Sequence, residues 1–185
     1  AQAILAGDGL QAMAFKVLVE DKTLEAEKKI KLLNSLTQAS FEMAEGQAID
    51  LSIVDQQVDV ATLEAMHQKK ASVLLNCPVS LGAIISDQCS KKDQQVLNNF
   101  STDIGLAYQI QDDVLDVEMP EEILGKKQNS DADKNKPTYP SLLGLEASKT
   151  AYQRLYEKAL DELKLLSVNT SELQQLTIKL QDRSF

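Results

Sequence analysis

The chain has 185 residues, of which 43% are hydrophobic and 25% are charged, and its formal net charge is −9. This balance is typical of a globular domain with a substantial core. The negative net charge argues against sequence-independent binding to nucleic acid or to an anionic membrane surface. No apolar run is long enough to cross a bilayer, so we expect no stable membrane insertion.

Helical periodicity recurs along the chain, and the strict alternation that predicts strands is not found. We predict a single all-α domain over residues 1–185, with helices over residues 1–20, 23–48, 59–85, 93–117, 141–166 and 171–181. The first helix is expected to face inward with Ile4, Leu5, Met13 and Val17, and the third to kink at Pro78.

Two features of the remaining sequence bear on compartment and boundaries. Cys77 and Cys89 stand apart without a CxxC motif or a histidine cluster, so we expect reduced packing residues in a cytoplasmic protein. The chain opens at Ala1 without an initiator methionine and already in helical periodicity, which suggests a segment of a longer protein.

The predicted fourth helix carries an acidic cluster. At helical spacing Leu106, Ile110, Val114 and Val117 share one side, whereas the other side receives the polar set Gln109, Asp112, Asp113 and Asp116. Three carboxylates near the carboxyl end of a helix repel one another and oppose the helix dipole, so a bound cation would stabilise them. Oxygen ligands suit Mg²⁺, which is usually held by one or two carboxylates with water and substrate phosphates. The alternative is a solvated acidic face on an acidic protein.

Lysines are concentrated in two other places. His67, Lys69 and Lys70 share one helical turn, and the long polar segment over residues 119–140 contains Lys126 and Lys136. A loop of that length in a helical domain is usually functional or disordered. Separate groups of carboxylates and lysines suit a magnesium–diphosphate substrate. No P-loop, GxSxG motif or Cys/His pair is present, and a single histidine is more often a packing residue than a chemical one.

These segments resemble the trans-isoprenyl diphosphate synthases, the family of the farnesyl and geranylgeranyl diphosphate synthases. The segment from Gln109 to Asp116, QIQDDVLD, resembles the second aspartate-rich motif of that family. Four more segments match in the same order, namely AGDGLQAMAF at residues 6–15, GQAIDL at 46–51, HQKKA at 67–71, and the GK…KPTYPSLLG loop at 125–144. Five collinear segments over nearly the whole chain make the resemblance specific.

The resemblance implies an isoprenoid-synthase-type helical bundle around a central cavity, in a homodimeric prenyltransferase. The family joins an allylic diphosphate, which ionises on Mg²⁺, to isopentenyl diphosphate. By this resemblance Asp112 is the direct metal ligand, and three further aspartates act directly or through metal-bound water: Asp113, Asp116 and, through water, Asp131. The resemblance also gives a diphosphate-binding set of Lys70, Gln109, Lys126 and Lys136, and makes Asp112, Lys70 and Lys126 the catalytic residues.

The sequence departs from the family pattern in three respects. Ala71 stands where threonine is usual, and Asn129 and Asn135 stand where glycines are usual, although asparagine tolerates a left-handed backbone. The family's first aspartate-rich motif and its N-terminal helices would lie upstream of Ala1, so we expect this chain alone to be inactive. Two alternatives are a non-catalytic partner subunit, which the intact aspartate motif disfavours, and a helical interaction protein with an acidic face.

Overall fold

The computed structural model describes residues 1–86, 88–120 and 135–183, and within these ranges the chain is helical and contains no strand. This confirms the all-α prediction. The elements, in chain order, are α1 (Gln2–Glu20), α2 (Ala26–Ser52), α3 (Val60–His67), a π-helical turn (Gln68–Ser72), α4 (Val73–Ile85), α5 (Lys91–Glu118), α6 (Tyr139–Leu143), α7 (Leu145–Leu163) and α8 (Ser171–Gln181).

Helix α5 is the centre of the fold and carries the aspartate motif. It starts at a capping box, in which Ser90 and Asp93 each accept a hydrogen bond from the other's backbone N–H at 3.1 Å. One side of α5 packs against α7 through a cluster of Phe100, Ile104, Ala107, Tyr156, Ala159 and Leu163. Another side joins the cluster Ile53, Leu63, Met66, Leu106, Ile110 and Tyr139.

Burial of α5 argues against the alternative that its aspartates form a solvated acidic face. Asp113 is 4% exposed and Asp116 is 2% exposed, so two of the three aspartates do not belong to a solvated acidic face. Burying a carboxylate is costly unless other groups compensate its charge. Two of the three carboxylates are therefore built into the protein interior.

The π-helical turn lies between two glycines on neighbouring helices. A Cβ atom on Gly46 of α2 would lie 2.2 Å from the backbone nitrogen of Lys70, and one on Gly105 of α5 would lie 2.5 Å from Cα of Ser72. Only glycine permits backbone contacts this close. The two glycines thus fix the turn that carries Lys70 between α2 and α5.

Two predicted helices are interrupted in the structure, and one prediction of burial is wrong. The predicted third helix is interrupted by the π-helical turn at Gln68–Ser72, whereas Pro78 lies inside α4. The predicted helix over residues 141–166 is divided at Gly144, whose φ of 84° is left-handed and ends α6. Helix α1 forms where it was predicted, but the expected burial of its apolar face is wrong: it has no buried residue, and Ile4, Leu5, Met13 and Val17 are exposed by 70%, 68%, 52% and 61%.

Two other predictions concern single residues and the membrane. Cys77 and Cys89 are both free, and burial raises the pKa of the Cys77 thiol, as expected of a packing cysteine. Over the described ranges, every helix is too short or too polar to cross a bilayer.

Candidate active site

A buried carboxylate on α2 brings two lysines together. Asp50 is 4% exposed, and its Oδ2 atom accepts hydrogen bonds from Lys136 Nζ at 2.8 Å and from Lys70 Nζ at 3.0 Å. Gln47, one helical turn earlier, adds a third donor at 3.3 Å. Lys70 comes from the π-helical turn and Lys136 from the segment before α6, so a single oxygen joins three parts of the chain.

The charges of this group favour an ionised Asp50 and leave a positive surplus. Burial alone would raise the pKa of Asp50, but the hydrogen bonds from Lys136 and Lys70 outweigh it and hold the pKa below its usual value. Two ammonium groups on one carboxylate carry a net charge of about +1 at neutral pH. The two lysine side chains are 19% and 27% exposed, so both ammonium groups are within reach of a bound anion.

The segment that delivers Lys136 is fastened by two left-handed residues. Asp55 has φ 61° and Asn135 has φ 50°. The backbone N–H of Asp55 donates to the carbonyl oxygen of Asn135 at 3.1 Å, and the side chain of Asn135 donates to Asp55 Oδ1 at 2.7 Å. Asparagine tolerates this backbone region, which is why it can stand at the position of a usual glycine. Asn129 lies outside the described residues.

The TYP sequence explains how the same segment reaches α5. Thr138 caps α6 by accepting the backbone N–H of Ser141 at 3.3 Å, and Pro140 occupies the first turn of the helix, where no backbone N–H is needed. This turns the backbone N–H of Tyr139 toward Asp113, whose Oδ2 accepts it at 3.0 Å. Lys136 and Tyr139 are three residues apart, at most about 10 Å along an extended chain. This short segment thus contacts Asp50 through Lys136 and Asp113 through Tyr139.

Three protein groups contact the Asp113 carboxylate. In addition to the Tyr139 amide, Gln109 Nε2 donates to its Oδ1 atom at 3.4 Å, and His67 Nε2 lies 3.3 Å from Oδ2. The His67 contact lacks hydrogen-bond geometry, since both ring nitrogens are without a hydrogen-bond partner among the described residues. Asp113 consequently ties α5 to the start of α6.

His67 and Tyr139 form the packed layer beneath this anchor. Their rings stack with centroids 5.9 Å apart and 16° between the planes, and the Tyr139 hydroxyl donates to Glu64. Burial and the Glu64 carboxylate raise the pKa of the Tyr139 phenol well above its usual range. His67 is 3% exposed, in agreement with the prediction that it is a packing residue.

Asp112 differs from its neighbour in being accessible. Its side chain is 43% exposed, and Oδ1 lies 3.6 Å from the guanidinium of Arg183, near the carboxyl end of α8. Arg183 is held against the Tyr108 ring at 3.7 Å and donates to the Tyr108 carbonyl oxygen at 2.9 Å. Gln111 fastens this end of the chain by donating to the carbonyl of Gln181 at 2.9 Å.

The structure thus places the predicted site residues in three settings. Asp112 offers an open carboxylate, whereas Asp113 and Asp116 are buried, and Lys70 and Lys136 share Asp50. Lys126 and Asp131 lie outside the described residues. Over the ranges that the structure describes, no three His, Cys, Asp or Glu residues are grouped so as to enclose a metal ion.

Asp50 is the site residue that sequence reasoning missed. The segment GQAIDL is recognisable in the sequence, but nothing in it shows that its aspartate will meet two lysines from distant segments. The one available signal is an acidic residue at a position that the helical pattern of α2 assigns to the interior. A buried carboxylate requires cationic or hydrogen-bonding partners.

The fold and these charged groups define a helical protein in which two lysines share a buried carboxylate and a central helix carries an aspartate cluster. The family model of the polyprenyl synthetases matches residues 1–170. The chain therefore belongs to the polyprenyl synthetase family, as the motif resemblance predicted.

Named relatives agree with this assignment. The chain is 39% identical over 174 residues to the farnesyl diphosphate synthase of Haemophilus influenzae, covering 92% of this chain and 59% of that protein. It is 38% identical over 183 residues to the farnesyl diphosphate synthase of Escherichia coli, covering 95% of this chain and 61% of that protein. The solved geranyltransferase from Helicobacter pylori, complexed with magnesium and isoprenyl diphosphate, superposes with a TM-score of 0.81 at 28% identity, covering 96% of this chain and 58% of that one. The chain thus spans about 60% of the length of these relatives.

Proposed function

We propose that this chain forms the diphosphate-binding part of a Mg²⁺-dependent prenyltransferase that joins an allylic diphosphate to isopentenyl diphosphate. The single observation that carries the proposal is the convergence of Lys70 and Lys136 on buried Asp50, where Lys70 comes from the π-helical turn that packs against α5, the helix that holds Asp112. A fixed pair of ammonium groups with surplus positive charge suits the oxygens of a diphosphate. The farnesyl diphosphate synthases among its relatives supply the reaction class.

The donor set fits a magnesium ion that is shared with a substrate. Asp112 presents one half-exposed carboxylate, which suits an ion that keeps most of its ligands as water and phosphate oxygens. Bound magnesium would neutralise the diphosphate as it leaves the allylic carbon. We assign direct coordination to Asp112. For Asp113 and Asp116, whose carboxylates are buried, we assign the positioning of α5 and of the loop, with any metal contact passing through water.

The remaining predicted residues have roles around the same substrate. Lys70 and Lys136 hold the diphosphate in place, while Gln109 orients Asp113 and borders the anion. Lys126 and Asp131, which lie outside the described residues, are proposed to add a second lysine contact and a metal-water contact. By the family resemblance, the departing diphosphate would accept the final proton.

We also propose that the protein is a homodimer in the cytoplasm. The dimer is supported by the uncovered apolar surface of α1, where Ile4, Leu5 and Val17 are each more than 60% exposed. Large exposed apolar patches mark interaction surfaces. Segments equivalent to the part of the relatives that this chain does not match would cover some of this surface. A second subunit would cover the rest.

The proposal is tested by comparing residues 1–185 with the same chain extended upstream by the family's first aspartate motif. Incorporation of radiolabelled isopentenyl diphosphate should require Mg²⁺ and should be found only in the extended chain, because the short one supplies carboxylates on one side of the leaving group. In the extended chain Asp112→Ala should lower turnover by about a hundredfold or more, whereas Lys179→Ala, on exposed α8, should not change it. Equal turnover from both chains would contradict the half-site account, and no turnover from the extended chain would favour the partner-subunit alternative.

A further inference from the structure

The two lysines bind Asp50 in a specific geometry, which a mere balance of charge would not require. Both ammonium groups meet the same oxygen, Oδ2, at 2.8 Å and 3.0 Å, and the carboxylate is 4% exposed at the wall of the fold. Without this oxygen, two ammonium groups so close together would repel each other. Each ammonium group has three N–H donors and uses one of them to hydrogen-bond to Asp50, so the others can bind a ligand.

We propose that Asp50 is a positioning residue that clamps Lys70 and Lys136 at the spacing required to bind the two phosphoryl groups of a diphosphate. The inference rests on the proposed function and extends it to a residue that the motif roles do not include. Asp50 touches neither substrate nor metal in this account. It acts only through the two lysines.

The elements around Asp50 support a rigid clamp. Gly46, one turn before Asp50, sets the backbone of α2 directly against Lys70, so the distance between the Asp50 and Lys70 backbones cannot relax. The Asp55–Asn135 pair fixes the neighbouring backbone of Lys136. Both lysines are therefore held at the backbone and at the ammonium, which reduces the ordering that ligand binding would otherwise require.

A matched pair on the same helix separates positioning from net charge. Glu45 lies five residues before Asp50 and forms an analogous ion pair, to Lys69 at 3.1 Å, but at a site that is about 40% exposed. Asp50→Asn and Glu45→Gln each remove one negative charge from α2. Charge alone predicts that both variants bind a diphosphate more tightly. The clamp predicts that Asp50→Asn binds it more weakly.

The first experiment measures binding of inorganic pyrophosphate, in the presence of MgCl2, by isothermal titration calorimetry on the 185-residue chain. We expect Asp50→Asn to weaken binding by about tenfold, the effect of losing one or two charge-assisted hydrogen-bond alignments, and Glu45→Gln to change it less than twofold. Asp50→Glu keeps the charge but moves the oxygen, and it should also weaken binding several-fold. If Asp50→Asn or Asp50→Glu binds as tightly as the wild type, the proposal is overturned.

A second experiment examines the clamp without any ligand. Limited acetylation with an N-hydroxysuccinimide ester, followed by peptide mass spectrometry, reports how firmly each ammonium is held. Asp50→Asn should accelerate acetylation of Lys70 and Lys136 together, and Glu45→Gln should accelerate that of Lys69. Unchanged rates at Lys70 and Lys136 would overturn the clamp. If the wild type fails to bind pyrophosphate although these rates do respond, the proposed function fails and the assignment of the clamp to a diphosphate fails with it.

Discussion

The backbone N–H of Tyr139 donates a hydrogen bond to Asp113 Oδ2 at 3.0 Å, which ties the start of α6 to the carboxyl-terminal part of the aspartate helix. The adjacent Asp112 points to a different environment, with its side chain 43% exposed. Two neighbouring aspartates therefore have different surroundings. Asp113 is buried and holds the start of α6, whereas Asp112 is partly exposed beside Arg183.

This division predicts different effects on stability. Asp113→Ala leaves the Tyr139 amide without its acceptor inside the protein and should lower the free energy of unfolding by about 1.5–3 kcal/mol. Asp112→Ala, at a half-exposed ion pair, should lower it by less than about 1 kcal/mol. Urea denaturation followed by circular dichroism measures both. Equal losses from the two variants would show that Asp113 is not an anchor.

The two glycines that enclose the π-helical turn give a second prediction. Gly46→Ala and Gly105→Ala place a methyl group against the backbone of Lys70 and Ser72, and each should lower the free energy of unfolding by about 1–3 kcal/mol. Gly82→Ala is the control, because a Cβ there meets nothing within 4 Å. In a helix interior that change should be neutral or stabilise by about 0.5–1 kcal/mol. Destabilisation by Gly82→Ala equal to the others would contradict the packing argument.

Alkaline pH should weaken the attachment of α7 to α5 through Tyr156. The Tyr156 side chain is fully buried and its hydroxyl donates to Gln111 at 2.8 Å, while burial is the main cause that raises its pKa from 10.0 to about 12. The neutral phenol therefore stabilises the folded state below pH 10, and this contribution is lost as pH rises from about 10 to about 12, because the unfolded chain ionises first. The loss should reach roughly 2–3 kcal/mol at most.

The measurement is the difference in unfolding free energy between the wild type and Tyr156→Phe as a function of pH. Taking this difference cancels the contribution that the lysines and the other tyrosines make to the pH dependence of the unfolding free energy. It should be constant up to about pH 10 and then fall. A constant difference up to pH 12 would mean that Tyr156 has an ordinary pKa in the folded protein.

Arg183 should oppose the binding of a cation at Asp112. Its guanidinium lies 3.6 Å from Asp112 Oδ1, where a like charge costs about 1 kcal/mol or more. Arg183→Gln should therefore strengthen Mg²⁺ binding to this chain by about fivefold. Lys179→Gln, which removes the same charge from an exposed position of α8, is the matched control. Weaker Mg²⁺ binding in Arg183→Gln would assign Arg183 a supporting role instead.

The sequence allowed the helices to be predicted because their signals are local. Residues 171–181 follow an amphipathic period, and they form α8 at those bounds. The left-handed conformation of Asn135 was also foreseeable, since asparagine replaces glycine there. The exposure of α1 was not, because periodicity identifies an apolar face but does not say which surface covers it.

The site was predictable in its residue types and less so in its arrangement. The spacing of Asp112 and Asp113 puts both on one helix, yet it cannot distinguish an open carboxylate from one that is buried against Tyr139. That difference depends on a contact between residues 26 positions apart. The role of Asp50 depends on a still longer separation, 86 positions to Lys136. Contacts of this kind come from the fold as a whole.

We propose that Asp112 and the lysine pair bind one magnesium–diphosphate unit together. The most direct test is a calorimetric titration of this chain with Mg²⁺, with and without inorganic pyrophosphate. Mg²⁺ alone should bind weakly, and pyrophosphate should strengthen its binding by about tenfold or more, because it supplies oxygens that Asp112 alone cannot. Asp112→Asn should abolish this strengthening beyond the affinity of Mg²⁺ for pyrophosphate in solution, while helix content is unchanged. Equal Mg²⁺ affinity with and without pyrophosphate in the wild type would contradict the shared site.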